Sequence, residues 1–247
     1  MQILEHLHLV GSGQFAISNH YDSHVYLVDC GDRLCLIDAG AGLEQERLLD
    51  NIAAAGYSPD RITDILVTHA HSDHAGGCAG LVETTGARVV ASAAEAALMA
   101  DGSDEELGLI LARHSGCYPQ DYVYRHCETR LVVRDGDQLL LGDVLVTCYI
   151  TPGHSAGSVC YLFDDVNGRT ILFTGDTVLF QGMIALLNCP GSDINLYRDS
   201  IARLAQVQFD ALMPGHLVFV LEDGVEHISA AHESLQGVFL PRCMGQA

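Results

Sequence analysis

THAHSDHAGG, residues 68–77, crowds three histidines and an aspartate into the six positions from His69 to His74. The motif grows out of ITDILVTH (62–69), an aliphatic, β-branched run that reads as a buried strand. Packing three imidazoles into one turn gains nothing for folding, so the cluster points to metal. Three more segments place metal-capable side chains directly after strand-like runs: TPGHSAGSV (151–159), FTGDTVLF (173–180) and MPGHL (213–217). Strand ends are where a sheet gathers residues that are distant in sequence. A borderline divalent cation such as zinc takes imidazole and carboxylate, and His69, His71, Asp73, His74, His154, Asp176 and His216 form that set. Seven ligands exceed one tetrahedral ion, so two ions sharing a carboxylate is the economical count.

Outward from these motifs, strand and helix patterns alternate in two similar halves. HVYLVDC (24–30) and RLCLIDAG (33–40) read as a hairpin turning at Gly31-Asp32, and MQILEHLHLV alternates like a strand. Leu48, Leu49, Ile52 and Ala53 define a helical face that Gly56 ends. DHAGGCAGLVETTG reads as a helix and ARVVAS as a strand. Residues 92–130 read as mostly helical, broken at Gly102-Ser103 and at Cys117-Tyr118-Pro119. QLLLGDVLVTCYI, SVCYLFDD and RTILFTGD return to strand. A helical face of Ile194, Tyr197, Ile201 and Leu204 precedes the short strand ALMPGH, and a last helix spans roughly 227–240. The expectation is one layered α/β domain over 1–247, with 92–130 as an insertion forming part of a substrate wall.

Composition narrows the class. The chain has 247 residues, 49% of them hydrophobic, enough for a substantial core. Twelve Lys plus Arg against 32 Asp plus Glu give a formal charge of −20, which disfavours nucleic acid and anionic membrane surfaces as partners. No apolar run is long enough to cross a bilayer, and the N-terminus does not read as a signal peptide. Nine scattered cysteines without a Cys-x-x-Cys pair suggest reduced thiols in a cytoplasm.

His-x-His-x-Asp-His followed by Gly-Gly, then TPGHSAGSV, FTGDT and PGH, resembles in its order the metallo-β-lactamase fold superfamily. The resemblance implies a four-layer αββα sandwich with the site at one edge between two sheets. By position, it implies that His69, His71 and His154 hold a first metal, that Asp73, His74 and His216 hold a second, and that Asp176 bridges them. Asp38, in LIDAG, corresponds to a carboxylate near the site that orients a ligand imidazole. The implied cofactors are two divalent ions, zinc first, with iron or manganese as other candidates. The implied reaction is attack by a metal-bridging hydroxide, aimed by Asp73, on a small thioester, lactone or other ester-like substrate.

Departures within the family narrow this further. True β-lactamases resemble the pattern but lack a bridging carboxylate at the position of Asp176. Lactonases of this fold often carry a tyrosine where this chain has Leu179. FTGDTVLFQGMIALLNCPGSD resembles instead the glyoxalase II-like branch, although FLPRCMGQA offers only Arg242 where that branch binds glutathione with basic residues. Phe15, His20, Tyr21, His114, Tyr118 and Tyr122 are the candidate substrate-wall residues. The competing reading is a mononuclear iron persulfide dioxygenase, which would use His69, His154 and Asp176. A small-molecule substrate is expected in either case, and dimers are common among such folds.

Overall fold

Every strand-like run quoted above contains strand in the computed structural model, which describes residues 1–239 and 241–244, although MQILEHLHLV and QLLLGDVLVTCYI each divide into two. The chain divides into two compact units, Met1–Val133 with Leu141–Asp143, and Arg134–Leu140 with the chain from Val144 onward.

The first unit holds a seven-stranded sheet whose spatial order follows the sequence: β1 (Gln2–Leu4), β2 (Leu7–Gly11), β3 (Val25–Asp29), β4 (Leu34–Ile37), β5 (Ile62–Leu66), β6 (Arg88–Ser92) and β7 (Leu131–Val133). β1 to β4 pair antiparallel, whereas β4 to β7 pair parallel. Parallel strands need crossover connections. Here α1 (Gln45–Ala54) lies between β4 and β5, α2 (Ser72–Ala75) and α3 (Cys78–Thr85) between β5 and β6, and α4 (Ala93–Asp101) and α5 (Leu109–His114) between β6 and β7. Their apolar sides join one core: Leu48 and Ile52 of α1, Leu81 of α3 and Met99 of α4 pack with Leu36, Ile65, Val67 and Val89. Each fully buried aliphatic side chain of this kind stabilises by about 1.5–3 kcal/mol.

DHAGGCAGLVETTG is two helices rather than one. The chain breaks at Gly76-Gly77, where the Gly77 N–H donates to Gly40 O at 2.9 Å, and a Cβ on Gly77 would collide with the Ala39 carbonyl. Residues 92–130 are less helical than their pattern suggests. α4 and α5 are short, left-handed glycines sit at Gly108 and Gly116, and Pro119 follows.

The second unit holds five strands in the order β12-β11-β10-β9-β8: β8 (Gln138–Leu141), β9 (Val144–Ile150), β10 (Val159–Val166), β11 (Arg169–Gly175) and β12 (Ala211–Pro214). β9, β10 and β11 run antiparallel in turn, and β12 pairs parallel with β11. α6 (Ile194–Leu204) starts where the Asp193 carboxylate accepts from the Asn195 and Leu196 N–H groups. Its Tyr197, Ile201 and Leu204 pack on Cys160, Leu172 and Leu212, as the helical pattern predicts. The last helix, α7 (Gly224–Gln236), begins and ends earlier than the pattern suggests, and residue 240 of that expectation lies outside the described residues. No helix among the described residues is long and apolar enough to cross a membrane.

Candidate metal centre

In the first unit the C-terminal ends of three parallel strands converge. Ile37 of β4 sits opposite Leu66 of β5, so Asp38 emerges beside the Thr68–His74 loop, and α4, directly after β6, brings Glu95 to Ala70 of that loop. Asp38 is buried and left-handed, with φ of 63°, a conformation stored more often at functional sites than in ordinary turns. Its Oδ1 accepts the Thr68 N–H at 2.7 Å; its Oδ2 accepts the Thr68 hydroxyl at 2.9 Å and His74 Nδ1 at 2.7 Å. Burial pushes the Asp38 carboxyl above the usual carboxylate range, against the pull of His74 and of the Thr68 hydrogen bonds.

This network sets two imidazole tautomers. A carboxylate only accepts, so His74 carries its proton on Nδ1. The Thr68 hydroxyl donates to Asp38, so its oxygen accepts from His69 Nδ1 at 3.0 Å. Both rings would therefore coordinate through Nε2. The rings of His69 and His74 lie 4.0 Å apart and those of His69 and His71 4.7 Å apart, so the cluster converges in space as well as in sequence.

Two further contacts hold the loop. The Glu95 carboxylate, fully buried, accepts the Ala70 N–H at 2.7 Å. Asp73 is held at every polar group of its backbone: Tyr118 Oη accepts its N–H at 3.0 Å, while the Ser23 hydroxyl donates to its carbonyl at 2.8 Å. The same Tyr118 hydroxyl donates to Asp73 Oδ1 at 2.6 Å. Burial, then the charge of Asp73, holds that phenol well above its usual range, so it remains a donor.

In the second unit the candidate ligands follow three strand ends. Asp176 follows β11 and His216 lies two residues beyond β12; the parallel register of Gly175 with Pro214, and a Gly215 N–H to Gly175 O hydrogen bond of 2.7 Å, bring them together. His154 follows β9, which runs in the same direction as β11. Gly153 before it has φ of 146°, and a Cβ there would stand 2.7 Å from the Tyr197 backbone, so the TPGH turn needs its glycine. His154 Nδ1 donates to Ala185 O at 2.6 Å, which again assigns Nε2 to coordination. Tyr197 Oη donates to Asp176 O at 2.9 Å.

The donor set fits a divalent ion. Within the first unit His74 Nε2 lies 3.4 Å from Asp73 Oδ2; within the second, His154 Nε2 and His216 Nε2 lie 3.7 and 3.6 Å from Asp176 Oδ2. Two ligands about 2.0–2.1 Å from one tetrahedral ion stand roughly 3.3–3.4 Å apart, so these pairs are spaced as co-ligands rather than as good hydrogen bonds. All seven residues belong to groups able to hold a metal ion.

The candidate wall residues divide. Tyr21, Tyr118 and Tyr122 form a chain of rings with centroid separations of 6.0 and 5.1 Å, and His20 lies against Tyr21 at 3.7 Å. Tyr122 is tied by its hydroxyl to Ala41 O. Phe15 is 40% exposed and stacks on His24. His114 ends α5 exposed, outside that chain of rings. Sequence reasoning missed Thr68, Glu95, Ser23 and Tyr197. Of these Thr68 lies inside the motif and Tyr197 on the helical face already read from sequence, but neither pattern signals the contact each makes.

The model of the metallo-β-lactamase superfamily matches residues 19–216, a span that includes all seven candidate ligands. An acyl-coenzyme A thioesterase, MBLAC2 of Gallus gallus, is 31% identical over 93% of this chain and 86% of its own length. A hydroxyacylglutathione hydrolase of Rhodopseudomonas palustris is 32% identical over 65% of this chain and 50% of its own. Among solved structures, BJP-1, a subclass B3 metallo-β-lactamase of Bradyrhizobium japonicum, is similar with a TM-score of 0.73 at 24% identity, over 94% of this chain and 89% of that one. Two mixed sheets with their helices, consistent with an αββα sandwich, carry the motifs at their strand ends. The chain therefore belongs to the metallo-β-lactamase superfamily, as a metal-dependent hydrolase.

Proposed function

We propose that this protein hydrolyses a small acyl thioester with two divalent ions, zinc first. His69, His71 and His154 would hold one ion, Asp73, His74 and His216 the other, and Asp176 would bridge. The observation that carries this reading is the fixed tautomer of His69, His74 and His154, each with Nδ1 engaged by a protein acceptor, which makes Nε2 the atom that would coordinate. When bound, the ions supply Lewis acidity, bringing the pKa of water toward neutrality and polarising a carbonyl. The protein's part is orientation. Asp38 and Thr68 hold two imidazoles, Ala185 O holds a third, and Asp73 turns Oδ2 toward His74 Nε2, where both would serve one ion. A thiolate leaves unaided, its conjugate acid having a pKa near ~8.5, so the site needs no general acid for this substrate class.

Charge selects among thioesters. Every cation among the twelve Lys plus Arg is an arginine, and the chain's net charge is −20. Arg33 and Arg88 are tied to Asp64, Arg113 to Asp104, Arg125 to Glu83, Arg169 to Glu222 and Arg203 to Asp135. An uncharged acyl thioester therefore suits this chain better than a polyanionic coenzyme A ester or a glutathione ester, and nucleic acid suits it least. All nine cysteines are free and most are buried, with burial pushing the Cys148 thiol up to about 12; this supports a reducing compartment such as the cytoplasm.

Metal content of protein purified without chelator, with a thioester panel read at two ionic strengths, tests the reading. About two zinc per chain are expected, with hydrolysis of an acyl-N-acetylcysteamine thioester independent of salt. The kcat/KM for the matching coenzyme A ester should start lower and rise several-fold as salt screens the repulsion. About one iron per chain with oxygen uptake on a persulfide would overturn the reading in favour of a dioxygenase built on His69, His154 and Asp176.

A further inference from the structure

Tyr118 does two things to one residue. Its hydroxyl accepts the Asp73 N–H at 3.0 Å and donates to Asp73 Oδ1 at 2.6 Å, closing a ring that fixes backbone and carboxylate together. The other carboxylate oxygen, Oδ2, lies 3.4 Å from His74 Nε2. The two oxygens thus have divided tasks: Oδ1 faces the phenol and Oδ2 faces the coordinating nitrogen of the next ligand. The phenol itself is held by packing. Tyr118 is buried, its ring stacks on Tyr122 at 5.1 Å, and Tyr21 tilts against it at 6.0 Å. Ser23 pins the Asp73 carbonyl from the other side, so the residue cannot rotate away without breaking several contacts.

We propose that Tyr118 is a positioning residue that makes Asp73 a one-oxygen ligand, through Oδ2, and so sets the affinity of the second metal ion. A carboxylate with both oxygens available could chelate, or swing between the ion and the nucleophile. The phenol removes that freedom by occupying Oδ1. This rests on the two-ion reading above and replaces the substrate-wall role expected of Tyr118 from sequence.

The test is a metal titration of apo-protein with cobalt(II), and separately with zinc in chelator-buffered solution, for wild type and Tyr118→Phe. The variant keeps the ring and its stacking and loses only the hydroxyl. Its first equivalent should bind as in wild type and its second about 10- to 100-fold more weakly. Hydrolysis should fall at limiting zinc and recover at high zinc, with KM unchanged across acyl chains of different size. Second-site affinity within twofold of wild type would overturn the proposal, as would a raised KM with metal affinity unchanged, which is the signature of a substrate wall. Should Tyr118→Phe fail to fold, 3-fluorotyrosine at position 118 keeps the hydroxyl and adds one small ortho fluorine, which changes the strength of its hydrogen bond to Asp73. A shifted second-site cobalt band then supports the contact, and an unchanged band overturns it. Wild-type protein that binds no second ion would sink the two-ion reading itself, whereas a wild-type second site indifferent to Tyr118→Phe sinks only the positioning role.

Discussion

The two units hold their candidate ligands by opposite means. The first has four candidates on one short loop, surrounded by side chains brought from far away: Asp38, Glu95, Ser23 and Tyr118. The second has three candidates after three separate strands, held through the Ala185 carbonyl, the β11–β12 register and the phenol of Tyr197. Dense ligands on a turn need an imported scaffold, because a four-residue helix such as α2 cannot hold its own geometry. Dispersed ligands inherit their geometry from the sheet. The first half is consequently exposed to loss of supporting side chains, and the second to loss of a ligand.

The largest expected effect follows from the second half of that contrast. Asp176 Oδ2 faces both His154 and His216, so one side chain joins everything that unit contributes. Asp176→Ala should abolish two-ion binding and lower kcat/KM by roughly 10³-fold or more, about 4 kcal/mol of transition-state stabilisation. Metal content by mass spectrometry and steady-state kinetics check it together. Wild-type stoichiometry would break the bridging assignment, and with it the claim that this unit depends on a single ligand.

Asp38→Asn probes the imported scaffold of the first half. Asparagine tolerates the left-handed backbone at this position, so the substitution isolates the hydrogen bonds from the strain. An amide nitrogen in place of Oδ2 would meet two donors, the Thr68 hydroxyl and His74 Nδ1, and the tautomers of His74 and His69 would no longer be fixed. Metal affinity should fall about 10- to 100-fold, and the buried mismatch should cost about 1–3 kcal/mol of stability. A chelator-competition titration beside a denaturant melt separates the two effects. Unchanged affinity with lowered stability would reduce Asp38 to a structural role.

The same contrast explains what could be seen in the sequence. His69, His71, Asp73 and His74 stand out because they are neighbours in sequence, and Gly76-Gly77 because close backbone approaches, to Ser72 and Ala41 for Gly76 and to Ala39 for Gly77, permit no side chain. His154, Asp176 and His216 are single residues after unremarkable strands, legible as a set only through the order of their motifs. The supports were illegible for a physical reason. Tyr118 reaches Asp73 across 45 positions, and from sequence it is one aromatic among several in a broken helical stretch. Glu95 sits three residues after Ser92, whose hydroxyl accepts its N–H at 3.4 Å as a helix cap. The pattern fits a capping box, which gives no hint that the carboxylate also accepts the Ala70 N–H. The 92–130 stretch misled in the same way, because left-handed glycines at 108 and 116 cut an apolar pattern that otherwise reads as helix.

Tyr197 gives the smallest effect and the sharpest comparison with Asp38. It was readable as the apolar face of α6, and its ring is indeed fully buried there, but its hydroxyl also donates to Asp176 O at 2.9 Å and accepts the Ala185 N–H at 3.3 Å. It thus touches the backbone of the candidate bridging residue and of the residue whose carbonyl orients His154. Tyr197→Phe keeps the packing and removes only these bonds, at about 0.5–1.5 kcal/mol each. Because β11 and β12 already fix Asp176 through their register, most of that loss should appear as stability, a Tm lowered by a few degrees, with kcat/KM down by less than tenfold and metal stoichiometry intact. A thermal melt and a zinc titration on one preparation decide the matter. If Tyr197→Phe weakened metal binding as strongly as Asp38→Asn, the second half would depend on an imported side chain as much as the first, and the division between sheet-held and side-chain-held ligands would fail.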